Sequence, residues 1–178
     1  MKFLEPEQLA LSKAGGQKLV LSVRTLLEEK PDFIAYKLDI KNAQNCISRS
    51  KCLEVLEGIP ELQHLSWHVA TTLGPYTALH SGGQQWGVAE EGVTQGDPEA
   101  MPLYCLTWHQ YVRKAEETLR EVGSMARFIS DDGYLVCPPR EATLAFNIFK
   151  EDIEQHCGLT LQTSKCEFFS RSGEKPRD

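Results

Sequence analysis

The stretch that most constrains this chain is Phe128-Ile129-Ser130-Asp131-Asp132-Gly133-Tyr134-Leu135-Val136. Strand-forming residues flank it, from Met125 to Ser130 and from Tyr134 to Cys137, and Asp132-Gly133 supplies the chemistry of a tight turn between antiparallel strands. The sequence therefore predicts a hairpin carrying two carboxylates at its tip. Like charges that close raise each other's pKa unless a cation lies between them, so an acidic pair on a rigid turn points to a divalent metal. An ordinary solvated Asp-Asp-Gly turn fits the hairpin, taken alone, equally well.

Two further segments favour the metal. From Asp32 to Arg49, an apolar run over Phe33–Leu38 reads as a buried strand ending in an acid, Asp39. Around Glu91–Pro98, Asp97 followed by Pro98 signals a helix start, with a capping side chain and then a proline whose missing N–H costs nothing at the first helical position. Gly92 and Gly96 remove side chains where backbone can approach a flat ligand.

Taken in order, Asp39-x-x-Asn42-Ala43, Gly92-x-x-Gln95-Gly96-Asp97-Pro98, Asp131-Asp132, and Gly158-Leu159 through Lys165 resemble motifs A to D of the reverse transcriptase palm of non-LTR retroelements. The resemblance runs from Phe33 to Phe169, and Ala14-Gly15-Gly16-Gln17 with the helix after it is similar to the stretch preceding motif A. Each motif alone is common. The ordered set is specific, above all Gln-Gly-Asp-Pro together with the Asp-Asp hairpin.

The resemblance implies an RNA-directed DNA polymerase: nucleotidyl transfer from deoxynucleoside triphosphates to a primer 3′-hydroxyl on an RNA or DNA template. It implies two Mg²⁺ ions roughly 3.5–4 Å apart, with Mn²⁺ as the substitute, clamping the attacking and leaving oxygens. Their ligands would be Asp39 and Asp131, the less direct Asp132, and the backbone carbonyl of Ile40. Gln95 and Gly96, with Gly92, Asp97 and Pro98 in the same loop, would contact the template or the incoming base. Arg49 would hold phosphate or pair locally. Lys165 would sit near the leaving pyrophosphate as a proton donor, although a solvated lysine before an edge strand describes it equally well.

The chain also departs from the family pattern. Gln44 stands where Phe or Tyr gates against a ribose 2′-hydroxyl, Ile129 where Tyr precedes the acidic pair, and Glu99 where an apolar residue follows Gln-Gly-Asp-Pro. These departures support a second reading, a catalytically silent or truncated palm that binds nucleic acid or another protein. An unrelated Mg²⁺ phosphohydrolase would leave Gln-Gly-Asp-Pro unexplained. His64 and His68 lie four apart on a predicted helix but have no third zinc ligand nearby, and Trp67, Trp86 and Trp108 are scattered as core or interface residues rather than as a base-stacking array.

The expected architecture is α+β, a polymerase palm-like antiparallel sheet with helices packed on one face, partial fingers and no thumb. Residues 1–31 form an N-terminal helical segment, 32–169 the palm, and 170–178 a polar disordered tail. Helices are expected over Glu5–Lys30 with a break at Gly15-Gly16, Ser48–Leu56, Glu61–Leu73, Pro98–Val122 and Arg140–Cys157. Strands are expected over Phe33–Ile40 and Cys166–Phe169, and a hairpin over Tyr76–Val88. Six scattered cysteines without a Cys-x-x-Cys pair fit a reducing, intracellular setting. No run has the length of a membrane span, and the N-terminus lacks a secretory apolar core. The net charge of −6 is unusual for a nucleic-acid enzyme, and implies that basic fingers and thumb regions of a larger polyprotein supply the grip.

Overall fold

The computed structural model describes residues 3–118, 123–173 and 175. Its centre is an antiparallel sheet whose middle strand, β1 (Ile34–Lys41), pairs on one side with β5 (Asp132–Cys137). On its other side β1 meets β6 (Thr160–Leu161) and β7 (Glu167–Ser170), and β4 (Met125–Ile129) lies outside β5. The strand signal over Phe33–Ile40 falls one residue early, and β6, two residues long, is too short to show in the sequence.

Alternation along β1 divides the protein into two cores. Ile34, Leu38 and Ile40 are buried on the face covered by α5 (Ala100–Thr118) and α6 (Pro139–Cys157), where Tyr36 meets Phe146 at 5.1 Å between ring centroids. Ala35 belongs to the smaller core on the opposite face, with Phe33, Met125, Val136 and Leu27 of α1 (Gly15–Glu29). The two long helices thus share one face of the palm-like sheet, as the sequence implies, and α1 closes part of the other. Between β1 and the sheet's return come α2 (Ala43–Cys46), α3 (Arg49–Gly58), α4 (Ser66–Leu73) and a separate hairpin of β2 (Thr77–Ser81) and β3 (Gln84–Ala89).

Three sequence expectations need correction. Residues 5–14 are not helical: the N-terminal segment forms turns and docks on β4, with Leu9 N–H donating to Phe128 O at 2.7 Å and Phe128 N–H to Glu7 O at 2.7 Å. The helix expected over Glu61–Leu73 is a 3-10 turn at Gln63–Leu65 followed by α4. The helix expected from Pro98 begins at Ala100, because Asp97 Oδ1 accepts the Glu99 N–H at 2.9 Å in a capping turn just before it. The end of that expected helix, 119–122, lies outside the described residues, as do 174 and 176–178 of the expected tail, whose first residue, Ser170, closes β7.

The hairpin differs too. The turn is Ser130-Asp131, with Ile129 opposite Asp132, so Asp132 and Gly133 already belong to β5. Ser130, not a glycine, takes the left-handed backbone, at φ 53°. Gly133 serves another purpose. It faces Phe128 across the strand pair, and a Cβ there would stand 1.9 Å from Phe128 Cε1. That ring is fully buried against Trp108, at 4.9 Å, and Phe149, at 5.4 Å, so it has nowhere to retreat. Gly133→Ala is expected to destabilise by about 1–3 kcal/mol through overpacking. In a Phe128→Ala background the same change should cost much less, a coupling that urea denaturation of the four variants measures.

Candidate active site

The β1–β5 register sets the geometry of the acidic residues. Asp39 is directly opposite Asp132, the last pair of that ladder, and opposed residues in an antiparallel pair point to the same face. Asp131 lies one residue away in the turn. The three carboxylates therefore reach one end of the sheet from two segments far apart in sequence. Like charges directly opposite each other are unfavourable, yet none of the three makes an ion pair among the described residues.

Asp131 is half-buried beside the start of α5. Burial and, after it, the negative charge of Asp131 push the Cys105 thiol up to about 12 and the Tyr104 phenol well above its usual range. Asp39 has its main-chain oxygen bonded by Gln162 N–H at 2.9 Å, just before the 3-10 turn Thr163–Lys165. Lys165 is exposed on that turn. Ile40 buries its side chain in the main core and pairs with Leu161.

An open cleft of about 500 Å³ lies beside the acidic tip, between Ile129–Asp132 on one wall and Gln95, Gly96, Asp97, Ala100 and Met101 on the other, with Gln44 at its edge. The turn before α5 is thus brought face to face with the hairpin tip. Gln44 Nε2 sits 3.7 Å from Met101 Sδ. Asp39 does not line this cleft and reaches it only through its pairing with Asp132.

Two candidate binding residues act on the protein itself. Gly92, at φ 80°, makes room for the chain, since a Cβ would lie 2.3 Å from the carbonyl oxygen of Asn45. The Arg49 guanidinium is buried, donating to Leu73 O and Gly92 O at 2.9 Å each. Of the two readings the sequence left open for Arg49, the local one describes its bonds. Pro98 is exposed and precedes α5, outside the cleft lining.

Sequence reasoning missed Gln8. Its side chain is buried and embraces the strained turn residue: Gln8 Nε2 donates to Ser130 O at 3.1 Å, and Ser130 N–H donates to Gln8 Oε1 at 3.0 Å. One amide satisfies both backbone groups of a non-glycine residue held in the left-handed region, a conformation that costs of order 1–3 kcal/mol unless its surroundings enforce it. Nothing local in the sequence announces a contact across 122 positions.

As ligands for Mg²⁺ these residues have the right chemistry, being hard carboxylate oxygens without a cationic partner. Among the described residues, however, no group of three or more His, Cys, Asp or Glu side chains is placed to hold a metal ion. The donor set fits an ion that takes one or two carboxylates and completes its shell with water and substrate phosphates, rather than an all-protein cage.

No protein-family model matches this chain, and no curated protein is significantly similar to it in sequence. Solved structures are similar in fold. Telomerase from Candida albicans, solved with the TWJ fragment of telomeric RNA, superposes with a TM-score of 0.69 at 15% identity, over 99% of this chain and 32% of that one. Apo telomerase from Candida tropicalis gives 0.70 at 13% identity, over 94% and 33%. The chain spans about a third of the length of these structures. At such identities the likeness concerns the fold alone, a palm-like antiparallel sheet with helices packed on it.

The Gln8 clamp carries an expectation of its own. Gln8→Ala leaves both backbone groups of Ser130 without their partner and is expected to destabilise by about 1–3 kcal/mol. Hydrogen exchange at the Ser130 amide should accelerate more than exchange in the centre of β5. Equal acceleration everywhere would mean that Gln8 supports the fold at large and not this turn.

Proposed function

We propose that the chain is an RNA-directed DNA polymerase palm of the non-LTR retroelement type, extending a primer 3′-hydroxyl with deoxynucleoside triphosphates. The observation that carries this reading is the meeting, at one end of the sheet, of the Asp39–Asp132 cross-strand pair, the Asp131 tip and the Gln95–Asp97 turn across one open cleft.

Asp39, Asp131 and Asp132 would hold Mg²⁺, with Mn²⁺ as the substitute and the Ile40 carbonyl as an added ligand. When bound, such ions neutralise charge on the attacking and leaving oxygens of an in-line displacement. The chain's own part is positioning. Gln8 and the Phe128–Gly133 contact keep the acidic tip in one conformation, and α5 gives Asp131 a dry wall of Tyr104 and Cys105. Gln95 and Gly96 are exposed at the cleft and offer backbone and an amide to a base or template strand. Gln44, at the edge of the cleft beside Met101, would stand near the sugar, and Lys165 would donate a proton toward departing pyrophosphate.

A second reading, a palm that folds without polymerising, is favoured by one specific observation: the three carboxylates do not converge into a ready set of ligands. Primer extension on an RNA template with Mg²⁺ separates the two. Extension is expected from the wild-type chain and should fall by roughly a hundredfold or more in Asp131→Asn, since ligand loss exceeds the 10–100-fold typical of the residues supporting a ligand. No extension by a folded chain, even at high concentration, would sink the polymerase reading and leave the silent palm.

Gln44 gives a separate prediction. A flexible amide blocks a 2′-hydroxyl less well than an aromatic ring, so the wild-type chain should accept ribonucleotides with little discrimination. Gln44→Phe should raise the preference for deoxynucleotides by about tenfold or more, a steric gain equivalent to about 1.4 kcal/mol. Unchanged discrimination in competition assays would remove Gln44 from the sugar site.

A further inference from the structure

From Cys52 to Gln110 and on to Val112 the chain contains no lysine or arginine. Those 61 residues hold seven acids: Glu54, Glu57, Glu61, Glu90, Glu91, Asp97 and Glu99. They include α4 and the β2–β3 hairpin, which forms a two-stranded sheet of its own, apart from the central one. A lone two-stranded hairpin is marginal in water, and this one turns apolar groups outward. Trp86, the unpaired residue of a β-bulge in β3, is 69% exposed, and Val88, paired with Ala78, is 48% exposed. Tyr76, 62% exposed, leads into β2, and Trp67, 77% exposed, stands on α4 just before it.

Beside the hairpin's exit lies a cleft of about 520 Å³ between α3, the end of α4 and the strand end, lined by Ala70, Pro75, Glu90 and Glu91 among others. Arg49 also lines it, but its guanidinium is bonded to the Leu73 and Gly92 carbonyls. Glu90 and Glu91 are exposed and make no ion pair or side-chain hydrogen bond among the described residues. Exposed aromatic side chains in a stretch of chain that carries carboxylates and no Lys or Arg are matched by cations on apolar stems, which gain from a ring face and from a carboxylate.

We propose that the outer face of the β2–β3 hairpin, with the Glu90–Glu91 cleft at its base, docks a Lys/Arg-rich protein segment. Charge selects this occupant over a nucleic acid. Phosphates at the cleft beside the hairpin would meet Glu90 and Glu91, while Arg49, the cation that lines it, is already bonded to carbonyls, which opposes the neutralisation that drives nucleic-acid binding. The proposal is independent of polymerase activity, because it concerns a surface outside the acidic cleft at the sheet end.

The test uses the whole chain and a labelled Lys/Arg–Gly peptide, read by fluorescence anisotropy. Binding should weaken as salt rises. Glu90→Gln/Glu91→Gln, and separately Trp86→Ser, should each weaken binding by about fivefold or more, the scale of one or two lost exposed cation contacts. Glu151→Gln/Glu167→Gln, which removes equal charge from exposed positions elsewhere, should leave binding unchanged. Because all these side chains are exposed, the far-UV spectra of the variants should match the wild type. Equal losses in both double variants would reduce the effect to overall charge and overturn the proposal. Tighter binding of an oligothymidine than of the peptide, or a dimer in solution that Trp86→Ser dissociates, would overturn it too, assigning the face to nucleic acid or to a second copy of the chain.

Discussion

The arrangement at the sheet end depends on the register between β1 and β5. Six consecutive pairs, from Ile34–Cys137 to Asp39–Asp132, fix it. A slip of one residue would turn Leu38 and Ile40 out of the main core and bring Asp39 into it. The burial of the alternating apolar residues therefore also aligns the acids. Phe128 packing into the space over Gly133 adds a second constraint on the same hairpin, and the aromatic cluster with Trp108 and Phe149 ties it to α5 and α6. The placement of the acids at the sheet end follows from ordinary hydrophobic packing behind it.

Much of this was legible in the sequence because its signals are local. The apolar run before Asp39, the strand formers around Asp131, the Gly82-Gly83 turn at φ 58° and 79°, and Gly158 ending α6 at φ 70° each declare an element from a few neighbouring residues. The order of motifs then anticipated which segments meet, and the cleft brings Gln44, Gln95–Asp97 and Asp131-Asp132 together. What stayed hidden depends on distant partners. Asp-Gly is a strong turn signal, yet the turn lies two positions earlier, at Ser130-Asp131, and Gly133 serves as empty space opposite Phe128. The segment 5–14 has helix-forming residues, yet bonding to β4 gave its backbone a better use. Gln8 looks like any surface glutamine until Ser130 is placed beside it.

Two kinds of glycine and arginine use illustrate the same limit. Gly92 and Arg49 sit where a family pattern suggests ligand contact, but both are engaged with backbone, Gly92 against Asn45 and Arg49 across Leu73 and Gly92. Burial lowers the pKa of the Arg49 guanidinium, and two carbonyl dipoles rather than a carboxylate receive its protons. A buried cation so placed is costly to leave unbonded, which favours keeping the end of α4 and the loop after β3 together.

That latch has a consequence for how the chain can vary. Arg49 grips the excursion at both of its roots, the last turn of α4 and the residue that returns to the palm, so the path between them is closed independently of its own sequence. The β2–β3 hairpin is in effect an interchangeable cassette. It can be lengthened, shortened or replaced by drift without moving the acidic end of the sheet, and the same palm-like frame can acquire new attachments there while its centre stays fixed.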